Sequence, residues 1–338
     1  MKNKKIPAAD GVRGFALMIV VLMHATGLFF PSLHDRLGGT AQPGVWLFFI
    51  LSSFLLTYKF LSNGFSLPIL TSYFLGRVIR IIPIFYIAVF IYFLLGLFDF
   101  NKFKEIVFFN GTYVHFWTIP VEFKFYFSLP LIVFSAVMVE KFFNAKISIS
   151  FLIFLTLIIS FSFPFTDEKL NGTMLVYTPV FMYGIIIAFI YAYTPIKINN
   201  PIADFLSLII IAIFILMTPI FTGINGWLGD KFVVLGPLIA IFIYLQAISD
   251  GIVAKTFSSR GFANLGKFSF SIYLFHIMIL FMIYPQYLNN KMAYLASIAL
   301  SIGGGMLCYY LFESPLEKIR HLIMRKINKS SYFKNQSE

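Results

Sequence analysis

Two ionisable side chains in the first apolar stretch of the chain could do chemistry together. Arg13 and His24 lie in VRGFALMIVVLMHATGLFF, which is long enough to cross a bilayer. Their spacing of eleven residues equals three helical turns plus about 20°, so both share nearly one face, about 16 Å apart along the axis. A guanidinium suits anions and an imidazole suits proton transfer. The spacing predicts a site that holds a long anionic ligand at Arg13 and reacts near His24.

A carboxylate further along the chain could assist His24. Glu122, in HFWTIPVEFKFYFSLP, is expected a little below the outer membrane surface. Ionisable side chains inside a membrane are costly and mark functional sites. A carboxylate beside a buried histidine holds the ring in one tautomer and stabilises the imidazolium, which favours general-base catalysis. We assign His24 and Glu122 as catalytic; a proton relay in a proton-coupled transporter or flippase is the alternative.

Two further arginines could bind phosphate. Arg77 and Arg80 in RVIRIIPIFY are three residues apart, so a helix places them on one face, just before the third span on the cytoplasmic side. Guanidinium groups bind phosphate well. With Arg13 they would form a basic mouth for a phosphorylated cytosolic donor; simple anchoring of the helix by positive charge is the alternative.

Other polar and aromatic side chains converge on the same slab of the membrane. Ser52 lies midway along the second predicted span and His276 about 12 Å into the ninth. Trp117 precedes Glu122 in a proline-interrupted stretch that could line a cavity. We assign these three and Tyr126 to substrate binding, although hydrogen bonding between helices also explains Ser52 and His276. No metal site is predicted.

The elements that carry these residues are membrane-spanning helices. Of the 338 residues, 59% are hydrophobic and 12% charged, and the mean hydropathy is +0.86. No soluble domain of this size could bury so much apolar surface. The formal net charge of +12 does not indicate nucleic-acid binding, because the basic residues fall between the apolar segments.

The expected fold is an all-α polytopic bundle with both termini in the cytoplasm, since the basic residues concentrate on that side. The domain prediction is a transmembrane domain at 1–312 and a basic cytoplasmic tail at 313–338. The first apolar stretch is interpreted as a retained signal anchor. About ten spans are predicted: 12–30, 43–61, 81–98, 119–139, 147–164, 174–193, 205–222, 232–249, 268–284 and 292–312.

Six segments, in order, resemble the integral-membrane acyltransferase-3 family. ADGVRGFALMIVVLMHA resembles its opening, with Arg or Lys eleven positions before His. WLFFILSSFLLT, RVIRIIPIFY and FWTIPVEFKFYFSLP resemble its FF-x-x-S-G-F, R-x-x-R-I-x-P-x-Y and W-S-L-x-x-E-x-x-F-Y-x-x-x-P segments. SFSIYLFH and FESPLEK resemble its closing S-Y-x-x-Y-L-x-H and E-x-P motifs. One departure is Ser53, where the family has glycine.

The resemblance implies a multi-pass enzyme of the cytoplasmic membrane that acylates a hydroxyl of a cell-envelope polysaccharide or lipid-linked sugar. Acetyl-CoA or another acyl-CoA is the implied donor, with no permanently bound cofactor. It also implies that Arg13, His24 and Glu122 are critical; whether His24 carries the acyl group or acts only as a base stays open. Many relatives carry a fused extracytoplasmic hydrolase-like domain that completes the transfer. This chain is expected to act alone or with a separate extracytoplasmic partner, or as a homo-oligomer.

Overall fold

The computed structural model describes residues 6–164 and 172–334, and all regular structure in these residues is helical. In this part of the chain, eight helices are long and apolar enough to cross a membrane, and two further apolar helices have 17 residues each. The long helices are α1 (Ala9–Phe29), α2 (Gln42–Asn63), α3 (Leu67–Leu94), α4 (Thr118–Phe142), α5 (Ala145–Ser162), α6 (Met174–Tyr193), α7 (Asn200–Leu216), α8 (Phe232–Ile248), α9 (Arg260–Ile283) and α10 (Lys291–Cys308). Each overlaps one predicted segment, which confirms the all-α membrane fold.

Contacts at the helix ends define two sides of the bundle. On the N-terminal side, where α1 begins, the backbone at Gly11 meets the carbonyl of Phe257. On the opposite side, the Asn289 amide donates to the carbonyl of Phe29 over 2.8 Å. Beyond α10, a π-helical turn at Tyr309–Glu313 leads into α11 (Ser314–Lys334) on the N-terminal side.

The third predicted span is wrong at its start. The segment 81–98 was expected, with Arg77 and Arg80 in front of it, but α3 begins at Leu67. Ser66 is extended and Pro68 lies in the first turn, where a missing backbone N–H costs nothing. Arg77 therefore lies inside the helix, about 15 Å from its start.

The beginning of α4 lies inside the bundle. The Thr118 hydroxyl is 2.9 Å from the Tyr273 hydroxyl, and Tyr273 lies midway along α9. The preceding residues His115 and Phe116 are buried, with 2% and 1% exposure. Non-helical backbone is tolerated at this depth only where protein covers it or a cavity adjoins it. Glu122 is accordingly deeper than its expected place just below the outer surface.

The tight packing of α1 against α9 sets the position of the first ionisable pair. A Cβ atom at Gly266 of α9 would lie 1.7 Å from the Asp10 carbonyl oxygen, so only glycine fits. Beyond this contact α1 runs along α9, so the face of α1 that contains Arg13 and His24 lies against α9.

Candidate active site

The arginines predicted from sequence line one cavity, which we call the arginine cavity. It has a volume of about 70 Å³ and lies between α1, α2, α3, α4 and α9. Three guanidinium groups face one carboxylate there, so the cavity carries an excess of positive charge. The polar side chains in its wall are Arg13, Ser52, Arg77, Arg80, Thr118, Glu122, Tyr126, Ser269 and Tyr273.

The carboxylates leave most of this positive charge unpaired. The Arg13 Nη1 atom lies 3.3 Å from Asp10 Oδ1. The Arg77 guanidinium lies over the ring of Tyr126, 5.6 Å from its centroid, and the Tyr126 hydroxyl donates a short hydrogen bond to Glu122. Within residues 6–164 and 172–334, neither Arg77 nor Arg80 forms an ion pair. Unpaired guanidinium groups facing a cavity suit an anionic ligand.

The partner of His24 is a histidine. Its Nδ1 atom lies 3.0 Å from Nε2 of His276, and Nδ1 of His276 donates to the carbonyl oxygen of Tyr273 over 2.7 Å. A carbonyl only accepts, so the neutral His276 ring has its proton on Nδ1 and its lone pair on Nε2. That nitrogen accepts from Nδ1–H of His24, which leaves the lone pair of His24 on Nε2 and prepares that atom to accept a proton.

The predicted pairing of His24 with Glu122 is not formed. Glu122 accepts a hydrogen bond from Tyr126 in the arginine cavity, whereas His24 is hydrogen-bonded to His276. The physical reason is the close packing of α1 on α9, which brings a side chain of α9 to His24. His276 therefore takes the orienting position that sequence reasoning gave to Glu122.

Sequence reasoning missed a third histidine, His115. Its Nε2–H donates to the carbonyl of Leu274 over 3.1 Å, and its ring centroid lies 5.0 Å from that of His276. The His115 side chain is buried. Its Nδ1 atom is buried without a hydrogen-bond partner. The one sequence signal was its place three residues before the start of α4, next to Trp117.

A tyrosine of α3 forms hydrogen bonds with the backbone of α9 near the histidines. The Tyr92 hydroxyl donates to the Leu274 carbonyl over 3.0 Å and accepts from the Met278 amide over 2.9 Å. An α-helix normally joins such a carbonyl and amide directly. The Tyr92 hydroxyl and the His115 ring therefore both hold the turn of α9 that contains His276.

His24 faces a second cavity on the opposite side of the bundle, which we call the histidine cavity. Around it are the end of α1, the loop before α2 and the outer end of α9. His24, Gly39 and Gln42 are among its lining residues. The arginine cavity ends at Thr118 and Tyr273, whose hydroxyls bond to each other. The Tyr273 ring lies 5.8 Å from that of His276, so this contact separates the arginine cavity from the histidines.

The remaining predicted site residues divide between these surfaces. Ser52 and Tyr126 line the arginine cavity with the arginines. His276 is fully buried behind His24. Trp117 lies outside the arginine cavity, in a cleft on the opposite side. The residues that the sequence analysis assigned to one site therefore belong to three neighbouring regions: the arginine cavity, the histidine pair and the cleft that contains Trp117.

The Ser53 departure from the family motif is accommodated by the facing helix. Ser53 is fully buried and donates to the carbonyl of Phe181 over 2.8 Å. A Cβ atom at Gly184 of α6 would lie 2.0 Å from the Ser53 hydroxyl. The glycine that allows close contact is on α6, and α2 runs unbroken through both serines.

The sequence with this fold and site matches a known protein family. The model of the acyltransferase-3 family, described as an acyltransferase domain, matches residues 6–313, and the chain is a member of this family.

Among curated proteins, relatives from Staphylococcus aureus strains COL and MSSA476 are named provisionally as O-acetyltransferases. Each is 24% identical to this chain over 366 aligned residues, which cover 94% of the chain. The chain spans 58% of the length of these relatives. No solved structure matches the chain. The family and the apolar helices together establish a multi-pass membrane protein of the acyltransferase-3 family.

Proposed function

We propose that this protein moves an acetyl group from acetyl-CoA to a hydroxyl of a cell-envelope polysaccharide or lipid-linked sugar, at the cytoplasmic membrane. The N-terminal side of the bundle would face the cytoplasm, as the distribution of basic residues predicts. Donor and acceptor would then approach His24 from opposite sides.

The arginine cavity supplies the donor site. Arg13, Arg77 and Arg80 would hold the phosphates of the coenzyme, because guanidinium groups form charge-assisted hydrogen bonds with phosphate. The axial distance from Arg13 to His24 is about 16 Å, roughly the length of a pantetheine arm. The thioester would reach His24 when the Thr118–Tyr273 contact opens.

The histidine cavity supplies the acceptor site and the base. Nε2 of His24 takes the proton of the acceptor hydroxyl as its oxygen attacks the thioester carbonyl carbon. The carbon–sulfur bond then breaks, and the thiolate of coenzyme A leaves and takes the proton from His24. The products are the O-acetyl ester and free coenzyme A. The His276 lone pair accepts from Nδ1–H of His24 throughout, which stabilises the imidazolium.

The observation that carries this proposal is the orientation of His24 by His276 at the inner end of a cavity opposite the arginines. A transporter that relays protons between His24 and Glu122 is not favoured, because the two side chains bond to other partners and the chain belongs to an acyltransferase family.

The experiment uses purified protein in proteoliposomes with labelled acetyl-CoA. Its acceptor is envelope glycan from cells lacking the gene. We expect labelled ester on the glycan with wild type and a loss on the order of 100-fold or more with His24→Ala, the range for removal of a general base. His321→Ala, an exposed histidine outside both cavities, is the control and should match wild type. Transfer by His24→Ala at the wild-type rate would refute the assignment.

A further inference from the structure

A third cavity on the opposite side, which we call the aromatic cleft, adjoins the histidine cavity. It encloses about 810 Å³, within the range of small-molecule sites of about 300–1,000 Å³. Its wall comes from the loop before α2, the segment before α4, the start of α6 and the loop before α8. The side chains that matter here are Gln42, Trp117, Tyr177, Asn225, Trp227 and Asp230.

The cleft combines aromatic faces with hydrogen-bonding groups. Trp117 and Tyr177 pack together with their ring centroids 4.7 Å apart on one wall. Trp227 lies on another wall, with Lys231 Nζ 5.6 Å from its ring centroid and 2.6 Å from Asp230. A sugar presents an apolar C–H face that packs on aromatic rings and hydroxyls that bond to amides and carboxylates. These aromatic residues line a cleft, so they differ from a belt of aromatic side chains facing lipid.

Gln42 connects the aromatic cleft to the catalytic histidine. Gln42 and Gly39 line both the aromatic cleft and the histidine cavity. The Oε1 atom of Gln42 is buried without a hydrogen-bond partner. A buried amide oxygen without a partner costs free energy, so an occupant that donates to it would be stabilised. Gln42 lines the passage that a ligand extending from one cavity to the other would follow.

The loop that carries Trp227 is held against the turn before α2. A Cβ atom at Gly39 would lie 2.6 Å from the Gly229 amide nitrogen, and Gly39 has a φ of +81° that favours glycine. Gly38 and Gly226 meet in the same way, at 3.0 Å. The packed turns hold Trp227 in place before a ligand binds, which lowers the entropic cost of binding.

We propose that the aromatic cleft is a subsite for a sugar ring that is not itself acetylated, the neighbour of the ring whose hydroxyl reaches His24. The inference rests on the proposed function and makes it more specific. The acceptor is a glycan of at least two linked sugars, with the reacting ring in the histidine cavity and the adjoining ring between Trp117 and Trp227. The Gln42 side chain accepts a hydrogen bond from a sugar hydroxyl near the linkage.

The test uses size-graded oligosaccharides cut from the envelope glycan of cells lacking the gene. Transfer of labelled acetyl to these oligosaccharides is compared with transfer to the single sugars of the same glycan. We expect wild type to prefer oligosaccharides over single sugars. Trp227→Ala should raise the KM for oligosaccharides about 5- to 10-fold, because it removes one aromatic contact. Trp227→Tyr should recover most of the preference. Phe221→Ala, an aromatic residue of the same outer region that is 61% exposed and outside the cleft, should match wild type.

Direct binding separates this inference from the proposed function. Binding of the same oligosaccharides is measured by calorimetry with His24→Ala protein in the absence of acetyl-CoA, so that no transfer occurs. Weaker binding after Trp227→Ala supports the subsite even if wild type transfers nothing to glycan, which would refute the proposed function alone. Equal binding with and without Trp227, or no preference of wild type for oligosaccharides over single sugars, overturns the subsite. Binding of acetyl-CoA to each variant checks that it is folded.

Discussion

The imidazole rings of His24 and His276 are joined by a hydrogen bond of 3.0 Å between Nδ1 and Nε2, and their centroids lie 5.2 Å apart. The residues are on different helices and far apart in sequence. Because the Tyr273 carbonyl fixes the proton on Nδ1 of His276, this one contact sets the tautomer of His24. The Tyr273 carbonyl, through His276, therefore determines that Nε2 is the nitrogen of His24 that can accept a proton.

His276→Leu should lower kcat on the order of 100-fold, because the apolar side chain cannot accept from Nδ1–H of His24 and the imidazolium loses its partner. His276→Gln should keep part of the activity, since an amide oxygen can accept the same hydrogen bond. Rates of labelled acetyl transfer by the purified variants check this expectation. A leucine variant as active as the glutamine variant would show that the hydrogen bond does not matter.

Glu122 should act on the donor rather than on His24. Glu122→Gln removes the negative charge among three arginines, so the KM for acetyl-CoA should change while the apparent pKa in the pH dependence of kcat stays as in wild type. The measurement is a pH series at saturating acceptor with each variant. If Glu122→Gln shifts the pH profile of kcat as far as His276→Gln does, Glu122 acts on His24 instead.

Arg13→Ala should weaken acetyl-CoA binding on the order of 10-fold at low salt, because it removes a charge-assisted contact with phosphate. The difference from wild type should shrink as salt rises, since ions screen the attraction. Titration calorimetry at two salt concentrations gives both values. Lys255→Ala, an exposed cation on the N-terminal side, is the matched control. The arginine cavity is not the donor site if Arg13→Ala and Lys255→Ala bind equally at low salt.

Much of the fold follows from hydropathy, because long apolar segments must be helical in a bilayer. The start of α3 could not be found this way. Arg77 and Arg80 interrupt the apolar run and suggest a membrane boundary, yet they lie in a continuous helix because their guanidinium groups line a cavity.

The site was only partly predictable for a different reason. Spacing along a helix gives the depth of His24, but it does not say which helix faces it. That choice depends on backbone contacts such as Gly266 against Asp10, which depend on how two distant segments pack. His115 was missed because a histidine outside the apolar runs carries no hydropathy signal; the structure buries it by turning the chain into the bundle before α4.

Close packing of α2 on α6 should be sensitive to a single methyl group. Gly184→Ala places a Cβ atom 2.2 Å from the Ile50 carbonyl oxygen and should destabilise the protein by about 1–3 kcal/mol, the usual cost of overpacking. Gly303→Ala is the control, because that glycine lies within α10 and has open space around it. Thermal unfolding in detergent should show a lower Tm for the first variant and an unchanged or higher Tm for the second. Equal Tm values would mean that α2 and α6 are not so close.

The most direct test of the account is the sidedness of acetyl transfer in proteoliposomes that hold the protein in one orientation. Labelled acetyl-CoA, which does not cross the bilayer, is supplied on one side and envelope glycan on the other. The account predicts labelled glycan only when acetyl-CoA is on the N-terminal side, where the arginine cavity lies, and the glycan is on the opposite side. Equal transfer with donor and acceptor exchanged between the sides, or with both on one side, would contradict the account.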